Sequence, residues 1–121
     1  MMNSTTIGNR GEDLVANYLI SHGYEILERN YNCKVAEIDI IAYNKDRILC
    51  FVEVKTRRNK DFGFASDAVD YRKRDKIKTG AIIYLRRIRK DVDIRFDVAE
   101  VYGDLTRKEP VFEINYIENA F

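Results

Sequence analysis

The sequence predicts an α/β domain in which helices flank a central sheet, and three observations carry that expectation. Apolar residues recur at helical spacing near the start and again past the middle, the repeat shortens to two between and after those stretches, and 121 residues suffice for one core. At this size folding hides roughly two thirds of the extended chain's surface. Residues 1–121 therefore read as a single domain.

The first element is a helix from about Ile7 to His22. Leu14, Val15, Tyr18 and Leu19 form its stripe, Thr5 or Thr6 is available as cap, and Gly23 suits the position just past the end. Glu12 lies three residues before Val15 and seven before Leu19, so its carboxylate points along the apolar stripe.

Three extended segments follow, about Tyr24–Tyr31, Val35–Tyr43 and Arg47–Lys55, with Asn44, Lys45 and Asp46 turning between the last two. They read as an antiparallel meander. Alternation sends Ile38, Ile40 and Ala42 to one side and Glu37, Asp39 and Ile41 to the other. In the third segment Ile48, Cys50, Val52 and Val54 oppose Leu49, Phe51, Glu53 and Lys55. If Tyr43 faces Arg47, then Asp39 and Glu53 are diagonal neighbours; a turn one residue wider on each strand sets them directly opposite. Both registers hold the two carboxylates within about 8 Å at the backbone.

Residues 56–66 read as a loop. A second helix runs from about Asp67 or Tyr71 to Arg87, with Val69, Ile77, Ala81, Tyr84, Leu85 and Ile88 as its stripe. Val92, Ile94, Phe96 and Val98 alternate as a fourth strand, and Val111 to Ile117 suggest a short fifth. The order is α-β-β-β-α-β with a β tail.

Composition excludes several classes. Hydrophobic residues at 45%, charged residues at 34% and a single Pro rule out collagen-like and wholly disordered chains. Cys33 and Cys50 lack zinc or disulfide spacing, and the lone His22 does not supply one. No signal-like or membrane-length apolar run is present, so a reducing cytoplasm is the expected location.

The net charge of +1 hides an asymmetry: residues 55–90 hold 13 Lys/Arg against 4 Asp/Glu, while the rest hold 8 against 16. A basic segment of that density is an electrostatic footprint for a polyanion, because phosphate contacts release condensed counterions. A solvated helix face is the plainer alternative.

The chemistry-bearing group is Glu12, Asp39, Glu53 and Lys55. An acid-any-lysine triplet alone means little, since about 1.5 matches arise by chance at this composition. Placement gives it weight: Phe51-Val52-Glu53-Val54-Lys55 sets ionised groups in an apolar strand, where an unpaired charge costs several kcal/mol. A hard divalent cation such as Mg²⁺ would compensate, held by Asp39 and Glu53 with Glu12 joining directly or through water. Lys55 would position water or stabilise a crowded phosphate transition state. The competing reading is an internal salt bridge in which Lys55 neutralises Asp39 or Glu53. Cys50, facing away from Glu53, reads as packing. Tyr31, Tyr71 and Phe62 read as structural more than base-stacking groups.

Gly8-Asn9-Arg10-Gly11-Glu12, Ala36-Glu37-Ile38-Asp39-Ile40-Ile41-Ala42, Phe51-Val52-Glu53-Val54-Lys55-Thr56-Arg57, Arg95-Phe96-Asp97-Val98 and Glu118-Asn119-Ala120-Phe121, in that order, resemble the YraN-like family of small bacterial proteins. That family is similar to the restriction-endonuclease-like PD-(D/E)xK superfamily, nearest to Holliday-junction resolvases. The resemblance implies nuclease activity, with Asp39 and Glu53 as metal acids, Lys55 as motif lysine, Glu12 as the helix acid and Lys73 as a basic residue of the second helix. Ala36 departs from the family's usual Gly, which bears on a turn and removes no ligand.

The resulting expectation is a central mixed β-sheet flanked by helices, acting as a Mg²⁺-dependent (or Mn²⁺-dependent) deoxyribonuclease on duplex or branched DNA. Asp39, Glu53, the Val54 carbonyl and Glu12 would serve the metal. Arg57, Arg58, Lys60, Arg72, Lys73, Arg74 and Lys76 would grip phosphates, and resolvase-like pairing would give a homodimer. The rivals are a catalytically idle nucleic-acid-binding or adaptor module, and a structural or protein-interaction domain whose acids form an ion-pair network.

Overall fold

A computed structural model describes residues 4–58 and 71–121. The expectations for Lys60, Phe62 and Val69 lie outside the described residues. The element order is α1 (Ser4–Ser21), β1 (Glu25–Asn32), β2 (Glu37–Tyr43), β3 (Leu49–Arg57), α2 (Tyr71–Ile88), β4 (Ile94–Gly103) and β5 (Phe112–Ile117). The strands form one five-stranded sheet in the order β1-β2-β3-β4-β5. Only β3 and β4 pair in parallel, over nine rungs from Leu49↔Ile94 to Arg57↔Tyr102, and the other pairs are antiparallel. The sheet is therefore mixed, and β1–β3 form the expected meander.

The helices divide the two sheet faces. Val15, Ala16 and Leu19 of α1 pack on Ile40, Ala42, Cys50 and Val52. Ile77, Ala81 and Tyr84 of α2 pack on Ile41, Tyr43, Leu49 and Phe51. Alternation along a pleated strand produces this division, and each large apolar side chain so buried contributes about 1.5–3 kcal/mol. Cys50 is buried on the α1 side, as packing requires. No helix among the described residues is long and apolar enough to cross a membrane.

Two local features set the approach of α1. The described helix spans Ser4–Ser21, so the backbone of Thr5 and Thr6, the expected caps, lies within it. A β-carbon on Gly11 would fall 2.2 Å from the Thr56 methyl carbon, so glycine there admits a close approach of α1 to the end of β3. At the other end Gly23 takes φ +85°, and its N–H bonds Ile20 O at 3.0 Å, closing the helix.

One alternation fails for a local reason. Ile38 belongs to the α2 cluster, not with Ile40 and Ala42 as its parity implies. Opposite this stretch, Asn30 takes φ +52° between the pairs Arg29↔Ile40 and Tyr31↔Ile38. That left-handed residue interrupts the pleat, so Tyr31 and Ile38 beyond it turn to α2 while Arg29 stays with α1. Asp39 sits opposite the irregularity. Ala36 has no positive φ, so nothing in its backbone demands the glycine common in the resembling family.

Candidate active site where two strands part

The β2–β3 ladder runs from Tyr43↔Leu49 to Ile40↔Val52, which places Asp39 opposite Glu53 on the next rung. This is the wider of the two expected registers. The connection explains it: Asn44 N–H donates to Ile48 O at 3.0 Å, and the Asn44 side-chain oxygen accepts from the N–H groups of Asp46 and Ile48, both at 2.9 Å. Lys45, Asp46 and Arg47 thus form the turn, with Arg47 at φ +63°, and β3 starts two residues later than the periodicity suggests.

Past that rung the strands part, and the Asp39 carboxylate enters the gap. Its Oδ2 accepts the Val54 N–H at 2.8 Å. In an extended residue the N–H and C=O project toward the same neighbouring strand, so the Val54 carbonyl is directed to the β2 side as well. Ala36, Glu37, Asp39, Glu53, Lys73 and Ile77 line a cavity of about 280 Å³ there. Asp39 and Glu53 therefore meet at one opening.

Glu53 is only 1% exposed. Its Oε2 lies 3.3 Å from the Lys73 ammonium, and its Oε1 is buried without a hydrogen-bond partner among the described residues. Burial, followed by the Asp39 charge, pushes Glu53 up to about 7 against the pull of Lys73. Asp39 is also raised by burial, opposed by the Val54 N–H and then by Lys73 and Lys55. Lys55 is pushed down to about 8 by burial and by its contact with Lys73, against the pull of Glu53 and Asp39. The competing reading gives Asp39 or Glu53 an ion pair with Lys55; the ammonium at 3.3 Å from Glu53 is that of Lys73, which reaches across from α2.

Glu12 approaches from α1. Arg29 lies 3.9 Å from its Oε1, and the Asn30 amide, turned with its NH₂ toward α1, donates to both carboxylate oxygens at 3.1 Å. Burial and the Asp39 charge push Glu12 up to about 7. Among the described residues no three His, Cys, Asp or Glu side chains close into a metal-sized cluster. Glu12 is held by Arg29 and Asn30 and feels the Asp39 charge, and it does not close with Asp39 and Glu53 into one cluster.

The basic residues divide. Arg57 and Arg72 are exposed, and Lys76 lines the cavity rim. Arg58 pairs with Asp104 at 3.3 Å beside a smaller cavity of about 170 Å³ at the ends of β3 and β4. Arg74 lies with its guanidinium 5.6 Å from the Phe121 ring centre, half-buried, which gives it a packing role that a phosphate-gripping assignment omits. Sequence reasoning also missed Asn30 and Arg29 at Glu12. The signal available was an acid on the apolar stripe of a helix, which requires a counter-charge.

Oxygen donors suit a hard cation, and the partnerless Glu53 Oε1 beside a second desolvated carboxylate is the feature such an ion would satisfy. The residues fit a divalent metal.

Comparison with known proteins adds a family. The model of the Uncharacterised protein family UPF0102 matches residues 11–101. A UPF0102 protein of Caldanaerobacter subterraneus subsp. tengcongensis is 45% identical over 121 residues, covering 99% of this chain and 98% of its own. Those of Caldicellulosiruptor saccharolyticus and Clostridioides difficile are 45% and 46% identical, each covering 99% of this chain and all of their own.

Proposed function

The chain belongs to the Uncharacterised protein family UPF0102, the YraN-like proteins its motifs resemble, and from its site we propose that it is a metal-dependent nuclease hydrolysing DNA phosphodiester bonds. The observation that carries the reading is the Asp39–Glu53 pair: two desolvated carboxylates at one opening, one oxygen buried without a partner, next to Lys55. A restriction-endonuclease-like PD-(D/E)xK fold, nearest to resolvases, is the assignment that accords with the mixed sheet and the order of elements.

Bound Mg²⁺ or Mn²⁺ would activate water and neutralise charge growing on the phosphate. Asp39, Glu53 and the Val54 carbonyl would hold it. The Val54 N–H fixes one Asp39 oxygen and leaves the other for the ion. Lys55 exchanges a proton easily near neutrality and orients the attacking water or meets the leaving oxygen. Glu12, held by Arg29 and Asn30, would serve the ion through water. Arg57, Arg72 and Lys76 draw the DNA backbone toward the opening, with Arg58 at their flank. The setting of the proposal is the cytoplasm, with duplex or branched DNA as partner and resolvase-like pairing as a homodimer.

The Lys73–Glu53 contact favours a second reading, in which the protein's own ammonium neutralises the acid and the domain binds nucleic acid without cutting it. Cleavage of labelled duplex, nicked and branched DNA separates the two. Wild type should cut with Mg²⁺ or Mn²⁺ and stop with chelator, and Asp39→Ala and Glu53→Ala should be inactive. Cutting that survives both substitutions rejects the site; salt-sensitive, metal-indifferent binding without cutting selects the second reading.

A further inference from the structure

The segment Glu118–Phe121, singled out in the sequence, has no role in the chemistry above. In the structure it crosses back over β4. Asn119 N–H donates to Asp97 Oδ1 at 2.9 Å, Ala120 N–H donates to Phe96 O at 2.7 Å, and Glu118 lies 3.6 Å from Arg95. Asn119 takes φ +53°, which turns the chain so that Phe121 stacks on Phe96 with ring centres 5.3 Å apart. Phe96 in turn stacks on Phe51 at 5.6 Å, in the strand that carries Glu53.

The first turn of α2 is where this segment arrives. The buried residues of α2 are Ile77, Gly80, Ala81 and Tyr84, all beyond that turn. Tyr71 and Arg72 are exposed. A helix start without buried apolar side chains frays unless something else ties it down. Among the described residues two contacts do so: Lys73 to Glu53 at 3.3 Å, and the Arg74 guanidinium over the Phe121 ring at 5.6 Å. Lys73 and Arg74 are adjacent, so the ring that holds Arg74 also fixes where Lys73 stands.

We propose that Phe121 is a positioning residue for the acid pair: held by β4, its ring anchors the first turn of α2 through Arg74 and thereby sets the Lys73 ammonium on Glu53. The motifs around Glu53 and Glu118–Phe121 are then parts of one device. The proposal rests on the nuclease reading only for the importance of Glu53; the coupling itself is measurable without metal or DNA.

The experiment uses the full chain, metal-free, and reads amide exchange along α2 together with the Glu53 carboxyl-carbon NMR resonance at about pH 8. In Phe121→Ala, the amides of residues 75–78, which bond to first-turn carbonyls, should exchange on the order of tenfold faster, while those of Ala81–Tyr84 keep their rates. The Glu53 resonance should move to the position it takes in Lys73→Met, with no further movement in the double variant, and Phe121→Tyr should restore both readouts. Should Phe121→Ala fail to fold, Arg74→Met, which keeps the aliphatic stem and removes the cation, decides by the same readouts. Exchange that rises equally along α2 and β3, or a Glu53 resonance unchanged from wild type, overturns the proposal. Neither outcome depends on whether the protein cuts DNA.

Discussion

Asp39 Oδ2 accepts the Val54 N–H at 2.8 Å one rung past the last regular pair of β2 and β3. A side chain thus replaces a backbone partner where the strands diverge. The bond stabilises the ionised form of a carboxylate that burial otherwise disfavours, and it directs that carboxylate into the cavity shared with Glu53.

Metal-free stability should fall as pH rises. Glu12 and Glu53 sit at about 7 in the folded chain against 4.5 unfolded, so the folded state holds protons that the unfolded chain releases. Their contribution is complete below 4.5 and is lost as pH climbs through 7. The urea midpoint should be lower at about pH 8 than at about pH 5, with a shallower slope in Glu53→Gln. Added Mn²⁺ should raise the higher-pH midpoint in wild type and not in Asp39→Ala. A midpoint that rises between those pH values, unaltered by Glu53→Gln, contradicts the arrangement.

Removing the counter-charge should have opposite effects on folding and on affinity for the proposed metal. Lys73→Met leaves the buried Glu53 carboxylate without its ammonium and should cost about 1–2 kcal/mol at about pH 8, a value reduced because Lys73 is partly exposed. The loss should shrink at about pH 5, where Glu53 is protonated. Calorimetric titration should show tighter Mn²⁺ binding, since a competing cation has gone; weaker binding would place Lys73 in the metal's support instead.

Gly11→Ala tests how α1 brings Glu12 to the sheet. Helix propensity alone favours alanine by about 0.5–1 kcal/mol. The new methyl would meet the Thr56 methyl at 2.2 Å, and overpacking should dominate with a net loss of about 1–3 kcal/mol. Thr56→Ser removes that methyl, so the double variant should recover most of the loss in thermal unfolding. Additive losses would locate the strain elsewhere.

Asp97 organises the underside of the sheet. It is fully buried and accepts from Arg95 at 2.8 and 3.0 Å, from the Tyr116 hydroxyl at 2.6 Å and from Asn119 N–H at 2.9 Å. Asp97→Ala should cost about 3–5 kcal/mol, because the Arg95 charge and the tyrosine hydroxyl lose their acceptor together. Calorimetry should show Tm lower by more than about 10 °C. A smaller change would mean that water takes over these bonds.

Periodicity made most of the frame legible. The stripe of α1, the meander and the burial of Cys50 away from Glu53 all follow from spacing, and the choice of register was open by only one step per strand. What spacing does not encode is contact across space. Ile38 changed sides because Asn30, on another strand, adopts a left-handed conformation. Lys73 found Glu53 because α2 crosses the sheet beside β3, and a run of cations does not reveal which one turns inward. Glu12 is visible as an acid on an apolar stripe, whereas Arg29 and Asn30 reach it from β1. The fold is written in local repeats, and the electrostatic partners are written in topology.

The lone parallel pairing in the sheet carries a kinetic corollary. Asp39 and Glu53 lie on strands joined by a three-residue turn, so a short loop closure brings them together. β4 pairs with β3 only after a crossover through α2, the slower kind of closure. The refolding chain is thus expected to gather its two acids before the helix bearing their ammonium docks, and divalent ions present at that stage would meet them first.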